Sequence, residues 1–122
     1  MSAPPRIMIV DDDAFIRRPL EFMLREEGFE PVVAVDGDQC LAGVDERAPD
    51  LIILDVMMPG RDGFDVCREL KQRPETAAIP VILLSARGRE HDRERGLSLG
   101  AAEFMTKPYS PSNLLRRIRE LL

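Results

Sequence analysis

Three stretches of the chain are apolar without a break: Ile7-Met8-Ile9-Val10, Leu51-Ile52-Ile53-Leu54 and Val81-Ile82-Leu83-Leu84. A strand with one face in water alternates apolar and polar residues, so unbroken runs of this length read as strands buried on both faces. Each run ends at once in polar side chains, namely Asp11-Asp12-Asp13, Asp55 and Ser85. After Asp55, the residues Pro59, Gly60 and Gly63 favour a tight loop, so Asp55 is expected to be presented at the strand end rather than buried. Pro31 to Val35 and Glu103-Phe104-Met105 supply two weaker strand candidates.

Helical spacing fills the intervals. Ile16, Leu20, Met23 and Leu24 define a first helix closed by Gly28, with Pro19 inside it and expected to bend its first turns or delay its start. Asp13 is placed to cap that helix. Asp36-Gly37-Asp38 can begin a second helix carrying Leu41 and Val44 and ended by Pro49. Phe64, Cys67 and Leu70 mark a third, and Leu114, Leu115, Ile118, Leu121 and Leu122 the last. The segment from Gly88 to Leu99 also reads as a helix, but Leu97 and Leu99 are its only strongly apolar residues. Burying little surface, it should be held more weakly than its neighbours, which makes it the candidate moving part.

Five apolar strands alternating with five helices imply an α/β fold in which helices cover both faces of a parallel sheet through right-handed crossovers. The 122 residues fit one domain, 1–122. Function in such sheets gathers at the carboxyl ends of the strands, which puts Asp11, Asp12, Asp55, Ser85 and Lys107 on one rim. A net charge of −5 disfavours non-specific nucleic-acid binding. No apolar run approaches the length of a membrane span, and Met1 to Arg6 holds no export signal, so a cytoplasmic protein is expected. Cys40 and Cys67 read as reduced packing residues on apolar helix faces, and His91, the only histidine, as a solvated residue in a charged run.

The rim has no glycine-rich turn after Val10 and no phosphate-binding loop with its lysine, so it is a poor nucleotide cradle. Three carboxylates close together cannot all stay ionised without raised pKa values or a cation. A hard divalent ion, Mg2+ by preference or Mn2+ in its stead, takes oxygen ligands and leaves positions for phosphoryl oxygens. One carboxylate could then act as a nucleophile toward phosphorus, with the Lys107 ammonium and the Ser85 hydroxyl assisting the incoming oxygens.

Asp11-Asp12, Asp55 followed by Met57-Met58-Pro59-Gly60 and Asp62-Gly63, Ser85-Ala86 and Lys107-Pro108 together resemble the receiver domain of bacterial two-component response regulators, from Ile7 to Leu122. The resemblance implies a flavodoxin-like (βα)5 sheet of strand order 2-1-3-4-5. It implies that Asp55 is the phosphoacceptor, charged from the phosphohistidine of a sensor histidine kinase or phosphotransfer protein. It implies Mg2+ ligation by Asp12, Asp55 and the Met57 backbone carbonyl, with Asp11 acting through water. The backbone of Met57 and Ala86 would meet the phosphoryl oxygens, Lys107 would pair with them, and the Lys107-Pro108 bond would be cis. Ser85 and Phe104 would form a switch that remodels the surface of the fourth helix, fifth strand and fifth helix. A downstream target, an output domain or a second copy would read that surface, and the domain's own catalysis would be limited to its phosphotransfer and slow hydrolysis.

Several positions bear on detail. Met57 and Arg87 occupy the places that flank the attacking water in the family. The run from Ala86 to Leu97 resembles receivers of winged-helix transcription factors, which dimerise through paired charges. Arg93, Glu103 and Arg117 match that pattern, whereas Ala102 and Asn113 stand where acidic partners are expected. A phosphatase of the haloacid dehalogenase type needs a second Asp two residues after the first, and Met57 stands there. A receiver-like interaction module that works without phosphate is the other alternative.

Overall fold

The computed structural model describes residues 3–122, and its sheet joins five parallel strands in the order β2-β1-β3-β4-β5. The strands are β1 (Arg6–Val10), β2 (Glu30–Ala34), β3 (Leu51–Asp55), β4 (Val81–Ser85) and β5 (Glu103–Thr106). The helices are α1 (Ala14–Glu26), α2 (Gly37–Arg47), α3 (Gly63–Gln72), α4 (Glu90–Ser98) and α5 (Pro111–Leu121). The unbroken apolar runs divide by alternate residues between two cores. Met8, Val10, Ile52, Leu54 and Leu83 face α2 and α3, while Ile7, Ile9, Leu51, Ile53 and Leu84 face α1 and α5. Each fully buried Ile or Leu of this kind contributes about 1.5–3 kcal/mol, so the central strands are the most firmly fixed part of the chain.

Side-chain caps define the helix starts. Asp13, Asp36 and Asp62 accept from the backbone N–H of Phe15, Gln39 and Asp65 at 2.9, 2.8 and 2.9 Å. Helix α1 begins at Ala14 and runs through Pro19, so the proline does not delay its start. Phe15, the residue four back from Pro19, lies on the exposed face, where water can serve a carbonyl that has lost its donor. Gly28, at φ +88°, ends the helix region in a left-handed conformation that suits glycine. The edge strand β2 carries Pro31 and is further shielded by Arg47, whose Nη1 donates to the Val33 carbonyl at 2.9 Å.

Helix α4 buries little of its surface, as the sequence led one to expect, but Leu97 is not what seats it. Leu97 is 39% exposed, and the residue α4 buries is Gly96. A Cβ on Gly96 would lie 2.7 Å from Leu83 Cδ1 and 3.3 Å from the Phe104 ring. The helix is therefore seated by the lack of a side chain rather than by an apolar one. The Arg95 guanidinium adds a cation–π contact, 4.3 Å above the Phe64 ring. On α1, Ile16 likewise lies outside the core, while Leu20 and Leu24 are buried in it.

Candidate functional site

The carboxyl edge of the sheet gathers its polar side chains through backbone bonds that continue just past the strands. Asp11 N–H donates to the Ala34 carbonyl at 3.1 Å, Val56 N–H to Leu84 at 2.9 Å and Lys107 N–H to Ser85 at 2.7 Å. The loop after Asp55 turns at Gly60, φ +78°, and comes back so that Gly63 N–H bonds the Val56 carbonyl at 2.9 Å. Gly63 thereby touches the end of β3 itself. A Cβ there would stand 2.5 Å from the Asp55 carbonyl oxygen, so the start of α3 and the end of β3 can meet only at a glycine.

Lys107 Nζ lies 3.1 Å from both Asp11 Oδ2 and Asp55 Oδ1. Asp11 Oδ1 accepts from Asp13 N–H at 2.9 Å, and Asp55 Oδ1 accepts a longer bond of 3.4 Å from Met57 N–H. Both contacts of Asp55 fall on Oδ1, which leaves Oδ2 free to bond elsewhere. Oxygens of Asp11, Asp12 and Asp55 all lie within 4.8 Å of one another. Three carboxylates against one ammonium make a pocket short of positive charge. An all-oxygen donor set of this kind fits a hard divalent cation such as Mg2+ and does not fit a thiolate-seeking metal.

The position of Asp55 corrects the expectation that it is presented rather than buried. It stands at the strand end, but its side chain is only 6% exposed, because Lys107 and the loop that follows close over it. Burial pushes its carboxyl above the usual range. The Lys107 ammonium opposes that shift, and the Asp11 carboxylate adds to it. Burial works against the Lys107 ammonium too, but Asp55 and Asp11 outweigh it and raise its pKa. Tyr109, beside Lys107, is also raised by burial.

Ser85 is buried, and its Oγ accepts from Arg87 N–H at 3.1 Å. Ala86 and Arg87 are exposed, and Met57 is half exposed. A cleft of about 590 Å3 opens here, lined by Met57, Met58, Phe64, Ser85, Arg87 and Arg95. Phe104 is buried at 4% exposure against Leu83 and Gly96. The Lys107-Pro108 bond is cis. On the neighbouring face Glu103 is paired within the chain, with Arg117 at 3.0 Å and Arg93 at 3.8 Å.

Two features beside the pocket carried no sequence signal. Phe15 and Phe22 are 91% and 66% exposed, and with Pro19 they form an apolar stripe on α1. A groove runs from that stripe to Lys107, Pro108 and Tyr109. Arg17, on the other side of α1, bonds the carbonyl of Asp11 at 3.0 Å.

A five-stranded parallel sheet of order 2-1-3-4-5 with an acidic pocket and a lysine at its carboxyl edge defines a flavodoxin-like domain of receiver type. Comparison with known proteins agrees. The family model for the response regulator receiver domain matches residues 7–119. The phosphate regulon transcriptional regulatory protein PhoB of Rhizobium meliloti (strain 1021) is 43% identical over 118 residues, covering 97% of this chain and 52% of that protein. The sensory transduction protein RegX3 of Mycobacterium tuberculosis (strain ATCC 25618 / H37Rv) is 45% identical over 116 residues, 95% of this chain and 50% of that protein. Among solved structures, the receiver domain of the Francisella response regulator 1452 superposes with a TM-score of 0.89 at 32% identity, covering 96% of this chain and 95% of that one. The chain belongs to the response regulator receiver domain family, a module of two-component signalling. It spans about half the length of the curated relatives it matches.

Proposed function

We propose that residues 1–122 form one receiver domain whose Asp55 takes a phosphoryl group from the phosphohistidine of a sensor histidine kinase or phosphotransfer protein. The supporting observation is the convergence of Asp11, Asp12 and Asp55 oxygens within 4.8 Å, with Lys107 bridging two of the three carboxylates. Asp55 Oδ2 attacks phosphorus, an O–P bond forms as the N–P bond of the donor breaks, and the imidazole leaves with the electron pair of that bond. Lys107 moves from the Asp55 carboxylate to the phosphoryl oxygens, and the backbone N–H groups of Met57 and Ala86 donate to them. Asp12, Asp55 and the Met57 carbonyl would hold Mg2+, or Mn2+, with Asp11 in its outer sphere. That ion supplies charge neutralisation for a transfer between anions.

The Ser85 hydroxyl exchanges its bond from Arg87 for one to the phosphoryl group, and Phe104 follows. The surface of α4, β5 and α5 thus carries the signal to a target, an output domain or a second copy of the chain. For dimer formation Glu103 would have to exchange its internal partners Arg93 and Arg117 for those of the other copy. The donor approaches over the α1 stripe of Phe15, Pro19 and Phe22, which leads to Lys107. The chain's own chemistry ends at this transfer and the hydrolysis of its product, it acts in the cytoplasm, and its negative charge disfavours direct contact with DNA.

Intact mass after incubation with acetyl phosphate tests the reading. One Mg2+-dependent phosphoryl adduct, absent from Asp55→Asn, is expected. An adduct of equal yield on Asp55→Asn would overturn the choice of acceptor, and no adduct from either acetyl phosphate or a phosphorylated kinase would overturn the function.

A further inference from the structure

Helix α1 turns a guanidinium back toward the acidic pocket. Arg17 lies one turn into the helix with a side chain only 15% exposed, and its Nη1 donates to the backbone carbonyl of Asp11 at 3.0 Å. Asp11 stands just beyond β1. Its N–H still belongs to the sheet, donating to Ala34, while its carbonyl is taken by Arg17. A buried carbonyl left without a donor is costly, so this bond holds the peptide between Asp11 and Asp12 in one orientation.

The other two contacts of Asp11 act on its side chain, from Asp13 N–H and from Lys107. Asp12 is exposed, and the direction of its carboxylate follows from the peptide on which it stands. Arg17 is itself steadied by Glu21, whose Oε2 is 3.7 Å from Nε. Nε is buried and makes no hydrogen bond among the described residues. The hydrogen bond this guanidinium does make therefore goes to the acidic turn.

From this geometry we infer that Arg17 is a positioning residue for the divalent-cation site, aiming the Asp12 carboxylate into the pocket by fixing the Asp11–Asp12 peptide. The inference rests on the reading of that pocket as an Mg2+ site. Charge alone gives the opposite sign. Removing a cation beside a cation site tightens Mg2+ binding, whereas removing the support of a ligand weakens it.

Isothermal titration calorimetry with Mg2+ reads the sign directly and needs no phosphoryl donor. Arg17→Met is expected to weaken Mg2+ binding about tenfold, the lower end of the cost of losing such a support. Arg17→Lys keeps the charge and one donor and is expected to stay within about threefold of the parent. Thr76→Val is the stability control. It removes a buried hydroxyl bonded to the Leu70 carbonyl at 2.6 Å beyond the far end of α3, and is expected to lower stability without moving the Mg2+ constant. Arg17→Met binding Mg2+ as tightly as the parent, or more tightly, overturns the inference, as does an equal weakening in Thr76→Val. Asp12→Asn separates loss of the cation site itself from loss of its support. Parent binding that is lost in Asp12→Asn but kept in Arg17→Met refutes the role of Arg17 alone, while a parent that binds no Mg2+ refutes the pocket reading and this inference with it.

Discussion

Replacing Gly63 by Ala should damage both the fold and the site, for a reason that can be worked out from the contact. The new Cβ would lie 2.5 Å from the Asp55 carbonyl oxygen and 2.7 Å from Val56 Cα, where ordinary contact begins at 3.4 Å. Something must therefore move by about 0.9 Å, the difference between 3.4 and 2.5 Å. Neither side of the contact is a flexible side chain. One is the end of the central strand, paired with β4, and the other is the first residue of α3, tied to Val56 by its N–H. Overpacking of this kind costs about 1–3 kcal/mol, and backbone on both sides puts Gly63 at the upper end. The lost flexibility of the unfolded chain returns about 0.4–1 kcal/mol, leaving a net loss of roughly 2 kcal/mol. With a urea dependence of about 1.5 kcal/mol per M, the unfolding midpoint should fall by about 1.3 M. Because the displaced strand end carries Asp55, and a misplacement of about 1 Å costs on the order of a hundredfold in rate, labelling by acetyl phosphate should fall by at least about tenfold. Gly28→Ala is the contrast. It has no atom within 4 Å of its new Cβ, so it should cost about 1–2 kcal/mol through its left-handed backbone alone and leave labelling intact. Destabilisation by Gly63→Ala of less than about 0.5 kcal/mol, with unchanged labelling, would refute the reasoning.

Burial raises the Asp55 pKa, so the stability tied to its neutral form is fully present below the ordinary carboxylate value of 3.8 and lost as pH rises through the folded-state value. Without divalent cations, Asp55→Asn should escape that loss and exceed the parent in stability at neutral pH, by a margin that shrinks on acidification; denaturant titrations at several pH values showing a constant gap would contradict this. Phe22→Glu should slow transfer from a phosphorylated histidine kinase at least about tenfold, through a lost contact of 1.4 kcal/mol or more, while acetyl phosphate labelling stays unchanged. Gly96→Ala should cost about 1–3 kcal/mol by overpacking against Leu83 and Phe104, and Leu97→Ala less than about 1 kcal/mol since its side chain is partly in solvent; chemical denaturation ranks the two. Burial pushes the Cys40 thiol up to about 12 and raises Cys67 as well, so a thiol-specific dye should find neither in the folded protein and both after denaturation.

The three central strands were legible because burial on both faces leaves a run with no polar residue in it, as in Leu51–Leu54, whereas the strand order followed only from the family resemblance. The gathering of Asp11, Asp12, Asp55 and Lys107 at one edge was legible for a related reason, since each lies at or just past the carboxyl end of a strand. What was not legible depends on partners far apart in the chain or on contacts made without a side chain. Pattern reading credits Leu97 for its size, but the helix packs through Gly96, whose contribution is the space it leaves for Leu83 and Phe104. Asp55 was expected to be presented because Pro59, Gly60 and Gly63 turn the chain out of the sheet just after it. Its burial is completed by Lys107, 52 residues away in sequence. Arg17 bonds a backbone carbonyl, which no side-chain pattern records, and an arginine on a helix is in most cases a solvated charge.

Reductive trapping of the phosphorylated protein identifies the acceptor carboxyl by position. Borohydride converts an acyl phosphate to an alcohol, so labelling with acetyl phosphate and Mg2+, reduction and peptide mass mapping locate the modified carboxyl by residue. Homoserine is expected at position 55 alone, and only when Mg2+ was present during labelling. Homoserine at Asp11 or Asp12, or at position 55 with equal yield in the absence of a divalent cation, would contradict that expectation.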